Sequence, residues 1–361
     1  MLDEIEHVED FVADIAAQDF DGEIELIVAD GGSSDGSPER LREAATHHGI
    51  TVRILENEAR WVSHGLNACV RVADGDLLVR LDCHARYPAD YVRLCVAAAD
   101  ETGAQVVGGI IVANGRTTVE RSVSCAMDSP FGGIGFYRIL GEGRGRLADV
   151  AAAFGLSRSR HADPTGRVET DTLTFGAFRP EAFTLAGLFD ESLRRNQDAD
   201  FNLRVRKAGG RIMLDPAIRV FYRPRGSVAA VFRQYHDYGY WRVAVMRKHR
   251  QLPGPRTLTP LVFVVSLALL VPTATRLRLA RRVLAFELAT YGALAAAAAV
   301  ATVRRRKESL ELIPIVATVF PAFHLGSGTG MVRGALAAVV SSRRQGRRSR
   351  AGSRPDRDES R

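Results

Sequence analysis

A chain of 361 residues with 46% hydrophobic and 25% charged positions is long enough for one large or two modest globular domains, and its composition excludes a disordered or collagen-like polypeptide. Its four cysteines, Cys69, Cys83, Cys95 and Cys125, form no CxxC pair and the start does not read as a signal peptide, which excludes a disulfide framework and points to a reducing compartment. The net charge of +7 divides into −9 over residues 1–241, +11 over 242–341 and +5 over 342–361, so the basic total belongs to the back half and does not indicate nucleic-acid binding by the acidic front half.

The first element in chain order is a helical stretch over 2–20, with Ile5, Val8, Phe11, Val12 and Ile15 on one face. No strand precedes it. Short apolar runs follow at 25–30, 51–55, 76–82 and 104–112, with helical patterns at about 36–48, 60–73 and 88–101 between them. Near-continuous apolar runs read as buried strands, and their alternation with helices predicts a doubly wound α/β sheet. From about 115 to 170 no period is clear. This stretch is rich in Gly and Arg and reads as a functional loop or a surface insertion.

Beyond 250 the composition changes. Residues 258–275 carry no charge, and 283–303 carry one, Glu287. Residues 310–341 are apolar but interrupted by Pro314, Pro321 and glycines. Eighteen helical residues span about 27 Å, close to the hydrocarbon core of about 30 Å. Basic clusters at 247–250, 276–282 and 304–307 bracket the runs. Membrane association is therefore expected. Either three spans or fewer, interfacial or re-entrant elements fit, and the second arrangement keeps the cations at an anionic leaflet. The Arg-rich tail over 342–361 is expected to be disordered.

Four motifs carry chemistry. IVADGGSSDGS (27–37) places Asp30 at a strand end before a Gly/Ser turn, where open α/β sheets bind ligands. It is neither GxGxxG nor GxxxxGK[ST]. LVRLDCHARYP (78–88) puts Asp82 and His84 on one side of an extended chain, a pair able to hold Mg²⁺ or Mn²⁺ beside a diphosphate. RRNQDADFNLRVRKAGG (194–210) presents Asp198 and Asp200 at a helix start, either as caps or with one as a general base. FRQYHDYGYWRVAVMRKHR (232–250) clusters Arg233, His236, Tyr240 and Trp241, suited to a diphosphate, a sugar face or a membrane interface.

In this order and spacing, together with FGAFRPEAF (175–183), GLFDESLRRNQDADFNLRVRKAGGRIMLDP (187–216) and RQYHDYGYW (233–241), the chain resembles the GT-A glycosyltransferases of family 2. Within them it is most similar to the membrane-associated succinoglycan-type glucosyltransferases. The resemblance covers about 1–250 and extends more loosely through 324–334. It implies a GT-A domain over 1–250, a membrane-associated helical region over 251–341 and a tail over 342–361. It implies donor contacts at Asp30, Gly31, Ser33, Arg60, Asn67 and Asp82, and a metal motif at Asp82 and His84. His84 stands where the family has a second Asp, which puts the divalent cation in question. Asp198 would be the catalytic base, with Gln197 where Glu is commoner. Asp200, Arg233, His236, Tyr240 and Trp241 would meet acceptor or diphosphate.

The implied activity is inverting transfer of a sugar, glucose at the family level, from a UDP-sugar to a lipid-linked saccharide in envelope or exopolysaccharide synthesis. Membrane lipids are partners, nucleic acid is not, and the catalytic domain is expected on the cytoplasmic side of the cell membrane. A polyprenyl-phosphate glycosyltransferase and a catalytically impaired membrane scaffold are the alternatives. One departure is marked: the family's first strand has no counterpart, so the start is expected to lie upstream of Met1 or the product to be impaired.

Overall fold

The computed structural model describes residues 1–132, 166–252 and 255–351. The first helix is α1 (Ile5–Ala16). Val8, Phe11, Val12 and Ile15 are buried on one face, as the spacing requires, whereas Ile5, expected with them, is exposed in the first turn. Then β1 (Leu26–Asp30), α2 (Ser37–His47), β2 (Val52–Glu56) and α3 (Val62–Val72) alternate. β1 and β2 pair in parallel, Leu26 opposite Val52 and Asp30 opposite Glu56. The crossover helix makes that parallel pairing possible.

The strand expected over 76–82 is much shorter. β3 covers Leu78–Val79, and β4 (Ala85–Arg86) follows a turn closed by the Ala85 amide on the Asp82 carbonyl at 3.0 Å. Next come α4 (Tyr91–Thr102) and β5 (Val106–Ala113). The stretch expected to be irregular from 115 instead opens with α5 (Thr118–Met127). A capping box starts it: Thr117 Oγ1 accepts from the Glu120 amide, and the Glu120 carboxylate accepts from the Thr117 amide. Residues 133–165, which hold most of the Gly- and Arg-rich sequence, lie outside the described residues, as do 352–361 of the tail.

After these come β6 (Val168–Glu169), β7 (Ala177–Phe178), α6 (Pro180–Ala186), α7 (Gln197–Lys207) and β8 (Ile212–Tyr222). The main sheet runs β3-β7-β5-β8-β4, with β6 also on β8, and β1–β2 form a separate sheet. The β5–β8 pairing is parallel and the others in the main sheet are antiparallel. The sheet is thus mixed and divided, not one doubly wound parallel sheet. Met1 lies beside β1, its amino group donating to the Ala29 carbonyl and its own carbonyl accepting from the Gly31 amide, both at 2.8 Å.

The chain ends in four longer helices: α8 (Val228–His249), α9 (Pro255–Ala274), α10 (Arg278–Arg305) and α11 (Ile313–Ala351). α11 continues into the tail expected to be disordered, since Arg, Gln and Ala propagate an existing helix at little cost. Three segments, Thr257–Ala274, Arg278–Arg305 and Leu310–Val340, are long and apolar enough to cross a membrane. They differ in surroundings. The first two are almost wholly exposed, whereas 44% of the third is buried, because α11 packs on α5 and α8. Val316, Phe320 and Phe323 share a core with Val123 and Met127. Gly326, Gly330 and Gly334 meet the carbonyls of Phe232, His236 and Tyr240, and a Cβ at Gly330 would lie 1.9 Å from the His236 oxygen. Only glycine permits that approach. Arg121–Glu308 and Arg306–Asp128 pairs add to the junction.

Candidate active site

A cleft of about 1550 Å³ is lined by Arg80, Asp82 and His84, by Arg195, Gln197 and Asp198, and by Gln234, Tyr235 and Tyr238 of α8. It continues past Val262 and Phe263 of α9 and Phe286 and Leu294 of α10. One end is therefore polar and belongs to the sheet domain. The other is apolar and belongs to the candidate membrane spans.

The polar end is organised by Arg80. Its side chain is 8% exposed. Nε donates to Asp82 Oδ1 and Nη2 to Asp82 Oδ2, each at 3.2 Å, while Nη1 donates to the Thr174 carbonyl. This fork is the geometry in which guanidinium binds carboxylate most firmly. The Asp82 amide accepts no freedom either, since it donates to Tyr87 Oη at 2.7 Å. His84 Nδ1 lies 3.1 Å from Glu4 Oε1. That hydrogen bond raises the imidazole above its ordinary range against the opposing effect of burial. Arg225 lies close enough to His84 to act on it electrostatically.

Asp198 enters from α7. The preceding residue but one, Asn196, adopts a left-handed conformation with φ 59°, and its Nδ2 donates to the Tyr238 carbonyl at 3.1 Å. This bend turns Gln197 and Asp198 into the cleft. Asp198 Oδ1 accepts from the Ala199 amide at 2.8 Å. Burial raises the carboxyl above its usual range, with Arg80 opposing. A carboxylate so placed is a competent general base. Gln197 is 7% exposed and its Oε1 has no hydrogen-bond partner among the described residues.

Asp200, two residues on, behaves oppositely. It is fully buried and does not line the cleft. His249 Nε2 and Lys248 Nζ lie 2.8 Å from Oδ1, and Arg204 Nε lies 2.9 Å from Oδ2. Burial works against its charge, but Lys248, His249 and Arg204 outweigh it and lower the pKa. The structure therefore places Asp200 in an ionic knot joining α7 to the end of α8, away from the cleft lining.

The residues expected at the donor divide. Asp30 is 9% exposed, its Oδ2 accepting from the Gly32 and Ser33 amides and its Oδ1 from Ser33 Oγ. Arg60 donates to the Gly31 and Gly32 carbonyls. Asp30, Gly31 and Ser33 thus form one turn, braced by Arg60 and apart from the cleft lining. Residues 1–5 lie between it and His84: Asp3 N donates to Ser33 Oγ, Ile5 N to Asp35 Oδ2, and Glu4 reaches His84. Asn67 is buried and holds the loop that leads to Asp198. Its Nδ2 donates to the Phe189 carbonyl and Glu191 Oε1, and its Oδ1 accepts from the Phe189 amide, all at 2.9 Å. It does not line the cleft.

On α8 the sequence pointed to a different face. Arg233, His236, Tyr240 and Trp241 are absent from the cleft. His236 and Tyr240 face α11 at its glycines, and Arg333 lies over the Tyr240 ring. Gln234, Tyr235, Tyr238 and Arg242 line the cleft instead. Their spacing of one, three and four residues is one helical face, a signal present in the sequence but masked by the aromatic and basic residues around it.

Asp82 and His84 reach the cleft, yet they do not fit the expected divalent cation. Both oxygens of Asp82 are taken by Arg80 and one nitrogen of His84 by Glu4. Among the described residues no group of three or more His, Cys, Asp or Glu side chains is placed to hold a metal ion.

The sequence profile of the family described as "Glycosyl transferase family 2" matches residues 2–159. The chain is 31% identical over 262 residues to the succinoglycan biosynthesis protein ExoA of Rhizobium meliloti, covering 72% of each. It is 23% identical over 231 residues to a Methanococcus voltae protein named dolichyl N-acetyl-alpha-D-glucosaminyl phosphate 3-beta-D-2,3-diacetamido-2,3-dideoxy-beta-D-glucuronosyltransferase, covering 62% of this chain and 64% of that one. The crystal structure of S. aureus TarS 1–349 in complex with UDP superposes with a TM-score of 0.43 at 14% identity, over 96% of this chain and 90% of that one.

Proposed function

Given that the chain belongs to glycosyl transferase family 2 and is a glycosyltransferase of the GT-A fold, we propose that it moves a sugar, glucose in the first instance, from a UDP-sugar to a lipid-linked saccharide with inversion at the anomeric carbon. The observation that carries this reading is Asp198, a partly buried carboxylate with a raised pKa in a cleft that runs from Arg80 to the apolar helices. The acceptor hydroxyl oxygen attacks the anomeric carbon. Asp198 takes the hydroxyl proton, the bond to the diphosphate breaks, and UDP leaves. In-line attack converts an α-linked donor into a β-linked product. Arg80 and Arg225 supply positive charge for the departing diphosphate. A divalent cation, when bound, neutralises a diphosphate in many GT-A enzymes. The residues here supply that charge through arginine.

Three long apolar helices associate the chain with a membrane, and we place the catalytic domain on its cytoplasmic side. The basic residues at 304–307 support that side, as do the four free cysteines. A saccharide on a lipid explains why this domain is fused to apolar helices, and the M. voltae relative is named for such a substrate. The test is a screen of UDP-sugars on membranes containing the full chain, read as release of UDP that depends on a lipid-linked acceptor. Release from one donor, lost in Asp198→Asn, is expected. Release that needs only polyprenyl phosphate would make it a polyprenyl-phosphate glycosyltransferase. No release from any UDP-sugar would favour the scaffold.

A further inference from the structure

The apolar end of the cleft has no part in the chemistry above, and its construction is informative. Val262 and Phe263 of α9 face Phe286 and Leu294 of α10 across it, and Phe286 is 75% exposed. The polar side chains among them are bonded to one another. Ser266 Oγ donates to Glu287, Tyr291 Oη lies 2.8 Å from His324 Nδ1, and His324 Nε2 lies 3.0 Å from the Phe131 carbonyl. Phe263 and Tyr291 stack at 4.6 Å and 12°. Apart from the hydroxyls of Thr257, Thr259 and Thr290, what remains on the wall is hydrocarbon and aromatic face. Such a wall suits a ligand part that offers no hydrogen bonds.

This chamber opens into the same cleft as Asp198. Near the polar end stand Arg195, beside Tyr238, and Arg225, beside His84. Both side chains are exposed. A ligand filling the whole cleft therefore presents a hydroxyl to Asp198, an anion to arginines and a hydrocarbon to α9 and α10. A water-soluble acceptor would leave the apolar chamber unused. A phospholipid would occupy it without offering a sugar hydroxyl.

Resting on the transferase reading, we propose that the space between α9 and α10 is the binding site for the hydrocarbon chain of the acceptor, entered sideways from the bilayer, with the acceptor's phosphate at Arg195. The chain site fixes how far the saccharide reaches toward Asp198. The Ser266–Glu287 pair ties α9 to α10 along the wall, so that the site keeps its width.

The probe is geranylgeranyl monophosphate carrying a terminal diazirine, photolysed with the full chain in phosphatidylcholine nanodiscs. Label is expected within residues 257–294. Undecaprenyl phosphate is expected to compete at least tenfold better than dioleoyl phosphatidic acid, which separates a dedicated site from bulk lipid. Filling the chamber with Val262→Trp and Leu294→Trp should lower labelling at least fivefold, while Leu279→Trp, 72% exposed in the native chain and outside the cleft, should leave it unchanged. Equal competition by phosphatidic acid, or equal labelling of the filled variant and the native chain, overturns the proposal. The competition arm uses the native chain and stands even if the filled variant misfolds. Asp198→Asn should keep the label. Labelling without transfer from any donor would sink the transferase reading alone, and transfer without selective labelling would sink the chain site alone.

Discussion

Asp198 and Asp200 sit two residues apart on α7, and replacing each with Asn should separate chemistry from stability. Asp200 is fully buried and paired with three basic side chains, Lys248, His249 and Arg204, at 2.8, 2.8 and 2.9 Å. Lys248 is 35% exposed, so solvent weakens its share; His249 at 8% and Arg204 at 19% are better shielded. Removing one partner of a buried ionic cluster costs about 3–5 kcal/mol, because the remaining charges stay buried without compensation. At about 2–4 °C per kcal/mol for a domain of this size, Asp200→Asn should melt about 6–20 °C lower. Asp198 has a raised pKa, so its ionised form is disfavoured by the fold. That unfavourable contribution is absent at low pH and appears as pH rises through the raised pKa. Asp198→Asn should therefore melt at or above the native temperature. Its turnover should fall about 10²–10⁴-fold, the usual contribution of a general base, with the donor's dissociation constant within twofold of native. The assays are scanning calorimetry in detergent and UDP release with saturating acceptor. Loss of turnover without loss of stability in Asp200→Asn, or a fall below tenfold in Asp198→Asn, would refute the assignment of the two carboxylates.

The same reasoning fixes the pH profile. Asp198 must be ionised to act, so kcat/KM should fall as pH drops through a pKa above the ordinary carboxylate value, a limb that disappears in Asp198→Asn. Arg80→Lys keeps one charge but loses the fork to Asp82, and UDP binding by calorimetry should weaken about tenfold. Binding of UDP by the native chain should change less than threefold between EDTA and Mn²⁺, and a larger dependence would show that Asp82 leaves Arg80 to ligate metal. Asn67→Leu removes three hydrogen bonds to the 189–191 loop, two of them buried, and should lower both melting temperature and kcat, with little change in donor affinity. Gly330→Leu should release α11 from α8, seen as protease sensitivity near 326–334.

The order of elements was legible in the sequence because it depends on local periodicity. The α1 stripe of Val8, Phe11, Val12 and Ile15 and the apolar runs of β1, β2 and β5 each declare themselves within a dozen residues. The motifs holding Asp82, His84 and Asp198 were legible for the same reason, although Asp82 and His84 sit in the turn between β3 and β4 and only Asp198 opens a helix. α5 was missed although its Thr117–Glu120 capping box was readable, because no strong apolar period followed it. Asp200 could not be told from Asp198 in the sequence. Both are acids in the first turn of a helix, and their separation depends on Lys248 and His249, about fifty residues away. The same holds for α8, where composition favoured Tyr240 and Trp241 but the glycines of α11 occupy the Tyr240 face and leave Tyr235 and Tyr238 to the cleft.

Sequence alone thus determined the family, the acidic front and apolar back, and the carboxylates to consider, all properties of local pattern. Tertiary structure decided which carboxylate lines the cleft and which is a buried tie. It also bonded Asn67 to the 189–191 loop and closed Asp82 against Arg80. Finally, it joined the polar cleft to the apolar helices. Each of these depends on which side chains meet across long stretches of chain, and a charge or an amide has no fixed role until its neighbours are in place.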